Sequence, residues 1–151
     1  MEVHSMRFLG LDVGDRTIGV ALSDSLLITA QGLMTIERVG ERKDAGKVLD
    51  LVKEHGCSGV VIGLPLRLDG TDSEQTLKVR EFGRLLENKL KSTGMQQVKI
   101  HFEDERFTTS MAEAILIAGD VKRNKRKDVI DKQAAIIILQ SFLDKRARTE
   151  S

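Results

Sequence analysis

The 151-residue chain predicts an α/β domain built on a mixed sheet with helices packed on it. Three observations carry that expectation. Two apolar runs, "RFLGLDV" and "TIGVALS", stand close together near the start. Two later runs, "GVVIG" and "VKIHFE", are set apart by helical patterns, and the chain closes on an alanine-rich apolar helix, "DVIDKQAAIIILQSFLDK". Strands that pair locally at first and are then separated by helices give a sheet of mixed direction.

The first two runs are separated by Gly14, Asp15 and Arg16, which suits a hairpin. "LMTIER" adds a third strand. From Glu41 to His55, Ala45, Val48, Leu49 and Val52 recur at helical spacing, and Gly56 is a natural stop. "GVVIG" is short and β-branched, as a buried strand is, and Pro65 falls in the loop after it. Thr71 and Glu74 have the spacing of a capping box for a helix carrying Leu77, Phe82, Leu85 and Leu86, ending near Thr93 and Gly94. "VKIHFE" alternates as a strand does. A second capping box, Ser110 to Glu113, starts a short helix, and Val129 to Lys145 forms the last one. One domain is expected over residues 6–146, with a polar leader or remnant at 1–5 and a tail at 147–151.

Charged residues make up 31% and apolar residues 40%, without an apolar span near the ~18 residues that would suggest a membrane crossing. A soluble globular protein is therefore expected, with no membrane partner. The net charge of +1 does not select a partner class. Cys57 stands alone, which excludes an internal disulfide framework and a cysteine zinc site and fits a reducing cytosol.

Carboxylates in apolar surroundings are the candidate chemistry. In an extended strand Asp12 shares a face with Phe8 and Gly10, opposite Leu9, Leu11 and Val13. Alone, it reads as a turn residue bonded to the amides of Gly14 or Asp15. Asp131 shares a helical face with Ala134, Ala135, Ile138 and Phe142. It is either a solvated acid in a first turn or, as the adjacent alanines favour, an acid turned toward the sheet. A third acid ends the last strand. Asp104 continues the parity of Val98, Ile100 and Phe102, while Glu105 falls with Lys99 and His101, so periodicity leans to Asp104 as the inward residue. Either acid can instead pair with Arg106 at the surface. Three converging carboxylates repel one another unless a cation sits among them. Oxygen ligands without cysteine or clustered histidine favour Mg²⁺ or Mn²⁺ over zinc. Two such ions, roughly 3.5 to 4 Å apart, activate a water and neutralise the leaving oxygen in phosphodiester hydrolysis.

"GLDVGDRTIGVALSD", "VVIGLPLRLDGT", "DERFTT" and "VIDKQAAIIILQSFLD", in this order and spacing, resemble the YqgF family, also called RuvX, over nearly the whole chain from Met6 to Asp144. Members are bacterial proteins of ribonuclease H-like fold, described as Holliday junction resolvases and as nucleases maturing the 5′ end of pre-16S ribosomal RNA. The resemblance implies a five-stranded mixed sheet, three antiparallel strands then two parallel to the first, flanked by helices. It also implies a cytoplasmic nuclease using Mg²⁺ or Mn²⁺, with two ions. Its substrate is pre-16S rRNA, in contact with the ribosome, or alternatively branched DNA. The family's acidic triad maps onto Asp12, Glu105 and Asp131, which puts Glu105 ahead of Asp104 and keeps Asp104 in reserve. Two positions depart from the pattern. Arg16 is followed by Thr17 where many members carry a basic pair, and Arg67 replaces the asparagine often found after "GLP". Both can touch nucleic acid, and the motif arginine Arg106 can orient Glu105 or contact phosphate.

The run "KRNKRK" supplies Lys122, Arg123, Lys125, Arg126 and Lys127. On composition it is a solvated loop. Beside a phosphodiesterase site it becomes a clamp for nucleic-acid backbone. With no Tyr or Trp and five Phe, base stacking on an aromatic platform is poorly supported, so shape and phosphate contacts should dominate. A kinase or actin-like ATPase shares the first hairpin motif but needs two lobes, and this chain has room for one. A non-catalytic nucleic-acid or ribosome-binding module gains nothing from burying carboxylates that repel. Monomer and homodimer both remain open, the dimer suiting a two-fold symmetric junction.

Overall fold

In a computed structural model, the structure describes residues 6–106 and 123–150, with side chains in the last helix from 132 to 149. Strands β1 (Phe8–Val13) and β2 (Thr17–Ser23) form the expected hairpin, closed by the Gly14 amide donating to the Thr17 carbonyl at 2.9 Å. Strand β3 (Ala30–Glu37) continues the antiparallel meander and begins earlier than "LMTIER". Strand β4 (Gly59–Leu64) lies parallel to β1, with Leu11 beside Ile62, and β5 (Lys99–Asp104) lies parallel to β4. The order is β3-β2-β1-β4-β5, a five-stranded mixed sheet with three antiparallel strands and two parallel to the first.

Helix α1 (Glu41–His55) has the predicted bounds, and Gly56 takes a left-handed conformation at its end, φ 61°. Helix α2 (Glu74–Ser92) stops at the Thr93 cap, but its start differs from the prediction. Ser73 and Thr76 form the capping box. Thr71 is unavailable because the Asp69 carboxylate accepts both its amide, at 3.0 Å, and its hydroxyl, at 2.7 Å. Leu77, expected on the apolar face of this helix, is 58% exposed. Helix α3 (Arg123–Glu150) extends beyond the predicted Val129 to Lys145 at both ends, and residues 147–150, expected as a tail, continue it. The Ser110 to Glu113 box and residues 1–5 lie outside the described residues.

The sheet is covered on both faces. Leu9, Leu11, Val13 and Ile62 pack with α1 and α2 through Val48, Val52, Phe82 and Leu86. Phe8, Ala21 and Val61 pack with α3 through Ala135, Ile138, Leu139 and Leu143. Fully burying a side chain such as Phe82 or Ile138 contributes about 1.5–3 kcal/mol. Gly10 and the alanines of α3 bring helix and sheet together: a Cβ on Gly10 would stand 2.7 Å from Leu139 Cβ and 3.2 Å from the Ala135 carbonyl. Cys57 is buried, and burial pushes its thiol up to about 11, so it stays protonated and inert. Among the described residues no helix is long and apolar enough to cross a membrane.

Candidate active site

Asp12 sits next to last in β1, on the face that meets α3, directly opposite Gly19 of β2. Half-buried there, its carboxylate projects from a rigid strand. Glu105 follows the last residue of β5. Its amide donates to the Leu64 carbonyl at 3.1 Å, which ties it to the end of β4. Glu105 Oε2 is buried and has no hydrogen-bond partner among the described residues. Burial first, then the Asp12 charge and the Asp104 charge, push the Glu105 carboxyl up to about 8. Gly63 makes room for this carboxylate, since a Cβ there would lie 2.8 Å from Glu105 Oε2 and would collide with Ile138 Cδ1 of α3.

Asp104, to which periodicity leans, is exposed and turned away from α3, its carboxylate 2.7 Å from Arg106 Nη2. The bond from Arg106, its largest influence, holds the Asp104 carboxyl below the usual range despite partial burial. The physical reason for the reversed parity lies in β5 itself. It is an edge strand with α2 against one face and α3 against the other. Phe102 meets Gly83 of α2, whereas Glu103 accepts bonds from Ser141 Oγ at 2.8 Å and Lys145 Nζ at 2.7 Å, both on α3. The apolar parity therefore marks the α2 face, and Glu103 and Glu105 take the other parity.

The remaining predicted residues divide. Arg16, in the hairpin turn, and Arg67, in the loop between β4 and α2, are exposed. Arg106 is bound to Asp104 and to the Leu68 carbonyl. Asp131 belongs to α3 one turn before Ala135, and its side chain lies outside the described residues. The basic run, expected as a loop, is helical from Arg123 onward; the side chains of Arg123, Lys125, Arg126 and Lys127, and all of Lys122, lie outside the described residues.

Sequence reasoning missed Gly63, which seats Glu105, and Glu103, buried at 6% exposure and anchoring α3 to β5. Glu103 carried a readable signal, an acid on the same parity as Glu105. It also missed Gln75, whose Nε2 donates to the Val13 carbonyl at 3.5 Å beside the hairpin.

Among the described residues no group of three or more His, Cys, Asp or Glu side chains gathers as a metal site, and Asp131's side chain is not among them. The acid pair nevertheless suits a hard divalent cation. Its donors are carboxylate oxygens only, and Glu105 Oε2, buried and unpartnered, is the kind of atom a cation satisfies.

The sequence profile of the RuvX family, described as "Holliday junction resolvase", matches residues 6–145. The chain belongs to the RuvX family. Relatives include proteins named "Putative pre-16S rRNA nuclease" from Heliobacterium modesticaldum, 45% identical over 94% of this chain and 91% of that one, and from Clostridioides difficile, 47% identical over 91% and 94%. A third, from Caldanaerobacter subterraneus, is 48% identical over 92% and 96%. Among solved structures, T. thermophilus RuvC in complex with a Holliday junction aligns with a TM-score of 0.55 at 14% identity, over 95% of this chain and 97% of that one. Fowlpox virus resolvase in complex with Holliday junction DNA aligns at 0.60 and 11% identity, over 93% and 99%. At those identities the likeness concerns the fold, which is ribonuclease H-like.

Proposed function

We propose that this RuvX protein is a metal-dependent nuclease that hydrolyses phosphodiester bonds in precursor 16S rRNA, in processing of the 5′ end. The observation that carries the reading is the buried Glu105 Oε2 atom, without a hydrogen-bond partner among the described residues, on a carboxylate that feels the charge of Asp12. Burying repelling carboxylates is costly, and a cation gathered between them removes the cost. The RuvX relatives from Heliobacterium modesticaldum and Clostridioides difficile are named as pre-16S rRNA nucleases, which favours RNA over branched DNA as the substrate.

On this reading Asp12, Glu105 and Asp131 hold one or two Mg²⁺ or Mn²⁺ ions. The bound metal supplies Lewis-acid stabilisation of the phosphoryl oxygens and a more acidic water. The chain supplies the rest. β1 and the end of β5 hold two carboxylates at fixed positions on one face, which preorganises the site before substrate arrives. Burial and the neighbouring acids favour the protonated form of Glu105, and a cation held there would favour its carboxylate instead. Arg16, Arg67 and the cations of the first turns of α3 bind the nucleic-acid backbone through phosphate, without base readout. A nuclease acting on a ribosomal precursor would meet it in the cytoplasm, in contact with the assembling subunit.

The test is purified protein with Mn²⁺ or Mg²⁺ against precursor 16S rRNA and a four-way DNA junction of matched length. Catalytic turnover of the RNA is the expected result. Turnover of the junction alone would replace this reading with a resolvase, as the family description has it. Binding without turnover of either would make the protein a nucleic-acid-binding module.

A further inference from the structure

Arg106 follows Glu105 directly, and each of its three guanidinium nitrogens faces an acceptor of the protein. Nε donates to the two Asp104 carboxylate oxygens at 3.2 and 2.9 Å, and Nη2 lies 2.7 Å from the same carboxylate. Nη1 donates to the Leu68 carbonyl at 3.0 Å. Leu68 belongs to the loop 65–73 that leaves β4 and enters α2. That loop has no regular structure, yet it is fastened elsewhere too. The buried Thr76 hydroxyl donates to the Pro65 carbonyl at 2.6 Å. The Arg67 amide donates to the Thr71 carbonyl at 2.8 Å, and the Gly70 amide returns to the Arg67 carbonyl at 2.8 Å. Gly70 takes φ 87°, a conformation that favours glycine, and a Cβ there would face Arg106 Nη1 at 3.6 Å. What this bracing leaves in solvent is the Arg67 side chain, together with Leu68 at 71% exposure.

Building on the nuclease reading, we propose that Arg106 is a positioning residue that binds Asp104 and the Leu68 carbonyl at once, fixing Glu105 at the end of β5 and bracing the loop 65–73. A bidentate phosphate contact would compete for nitrogens that already face protein acceptors, since Nε and Nη2 meet Asp104 and Nη1 meets the Leu68 carbonyl. The planar fork is essential to the arrangement, because its Nε–Nη2 edge meets a carboxylate while Nη1 reaches a carbonyl from the loop. A lysine ammonium is a point charge and cannot span both, although it serves well enough as a phosphate contact.

The experiment uses the full chain with Arg106→Lys and Arg106→Gln. Three measurements are made: kcat and KM for precursor 16S rRNA with Mn²⁺, the salt dependence of binding the same RNA in EDTA, and the rate at which trypsin cuts after Arg67, followed by mass spectrometry. The expected result is that both variants lose kcat by about 10- to 10²-fold, the range for a misplaced catalytic group, while KM stays within about twofold. The salt slope should not change, and trypsin should cut after Arg67 several-fold faster in both, as the loop loses its brace. If lysine retains parental kcat while glutamine lowers the salt slope by about one, Arg106 is a phosphate contact and the proposal is wrong. Unchanged tryptic cleavage in both variants also overturns it. Should the parent cleave no nucleic acid, the nuclease reading fails, but the tryptic rates and salt slopes still decide the role of Arg106.

Discussion

Gly63 and Glu105 share one small space: a Cβ on the glycine would lie 2.8 Å from Glu105 Oε2 and would strike Ile138 Cδ1. Gly63→Ala should therefore cost about 1–3 kcal/mol through overpacking and push the carboxylate out of its seat. Adding Ile138→Val removes the Cδ1 atom, so stability in urea should recover in part while rRNA cleavage stays low. Recovery of cleavage along with stability would mean that the glycine serves packing alone.

Asp12→Asn keeps the shape and removes the charge beside Glu105. The variant should fold, lose the rise in melting temperature that Mn²⁺ gives the parent by binding the native state, and lose cleavage by roughly 10²-fold or more. A turn aspartate with only a local hydrogen bond predicts parental melting with and without Mn²⁺, and calorimetry distinguishes the two.

The Glu105 carboxyl titrates at about 8 in the folded protein against 4.5 for the unperturbed group, because burial and the neighbouring acids disfavour its charge. Between those values the native state holds more protons than the unfolded chain, so this group's contribution to stability is full at low pH and is lost as pH rises through the window. Metal-free parent should lose stability relative to Glu105→Gln between pH 5 and pH 8. Denaturation curves at several pH values check this, and a constant difference between the two proteins would refute it.

Replacing Lys125, Arg126 and Lys127 by Ala should weaken RNA binding and flatten its log–log salt dependence by roughly one unit for each phosphate that the variant no longer neutralises. Arg67→Ala should remove about one unit by the same measure. An unchanged slope in the triple variant would return the run to an ordinary solvated helix end.

Arg38 and Asp44 brace the hairpin that carries Asp12. The Asp44 carboxylate is fully buried, accepting Arg38 Nε at 3.0 Å and the Val39 amide at 3.0 Å, while Arg38 Nη1 donates to the Gly14 carbonyl at 2.8 Å. Asp44→Ala strands the arginine and should cost about 3–5 kcal/mol in urea denaturation. Arg38→Met with Asp44→Leu should cost clearly less, since neither member is then left unpaired. Equal losses would assign the effect to packing of Arg38 against Phe82.

Local chemistry settled much of this protein in advance. Helix α1 was readable to its last residue because its apolar spacing and Gly56 lie within one segment. The first hairpin was readable because three polar or small residues separate two apolar runs, and the period of two placed Asp12 on the face of Phe8 and Gly10. The four motif blocks, together, were enough to indicate the RuvX family. The tertiary structure decided what depends on which body covers a face. Periodicity showed that Asp104 and Glu105 point oppositely; only the position of β5 between α2 and α3 tells which of them meets Asp12. Thr71 has the spacing of a helix cap, and only the fold of the loop gives it to Asp69 instead. Gly63 as the seat of Glu105, and Arg106 as a brace on Leu68, join residues distant in sequence. A residue's own pattern records that it has a buried side, and the identity of the group on that side comes from chain segments that the pattern does not contain.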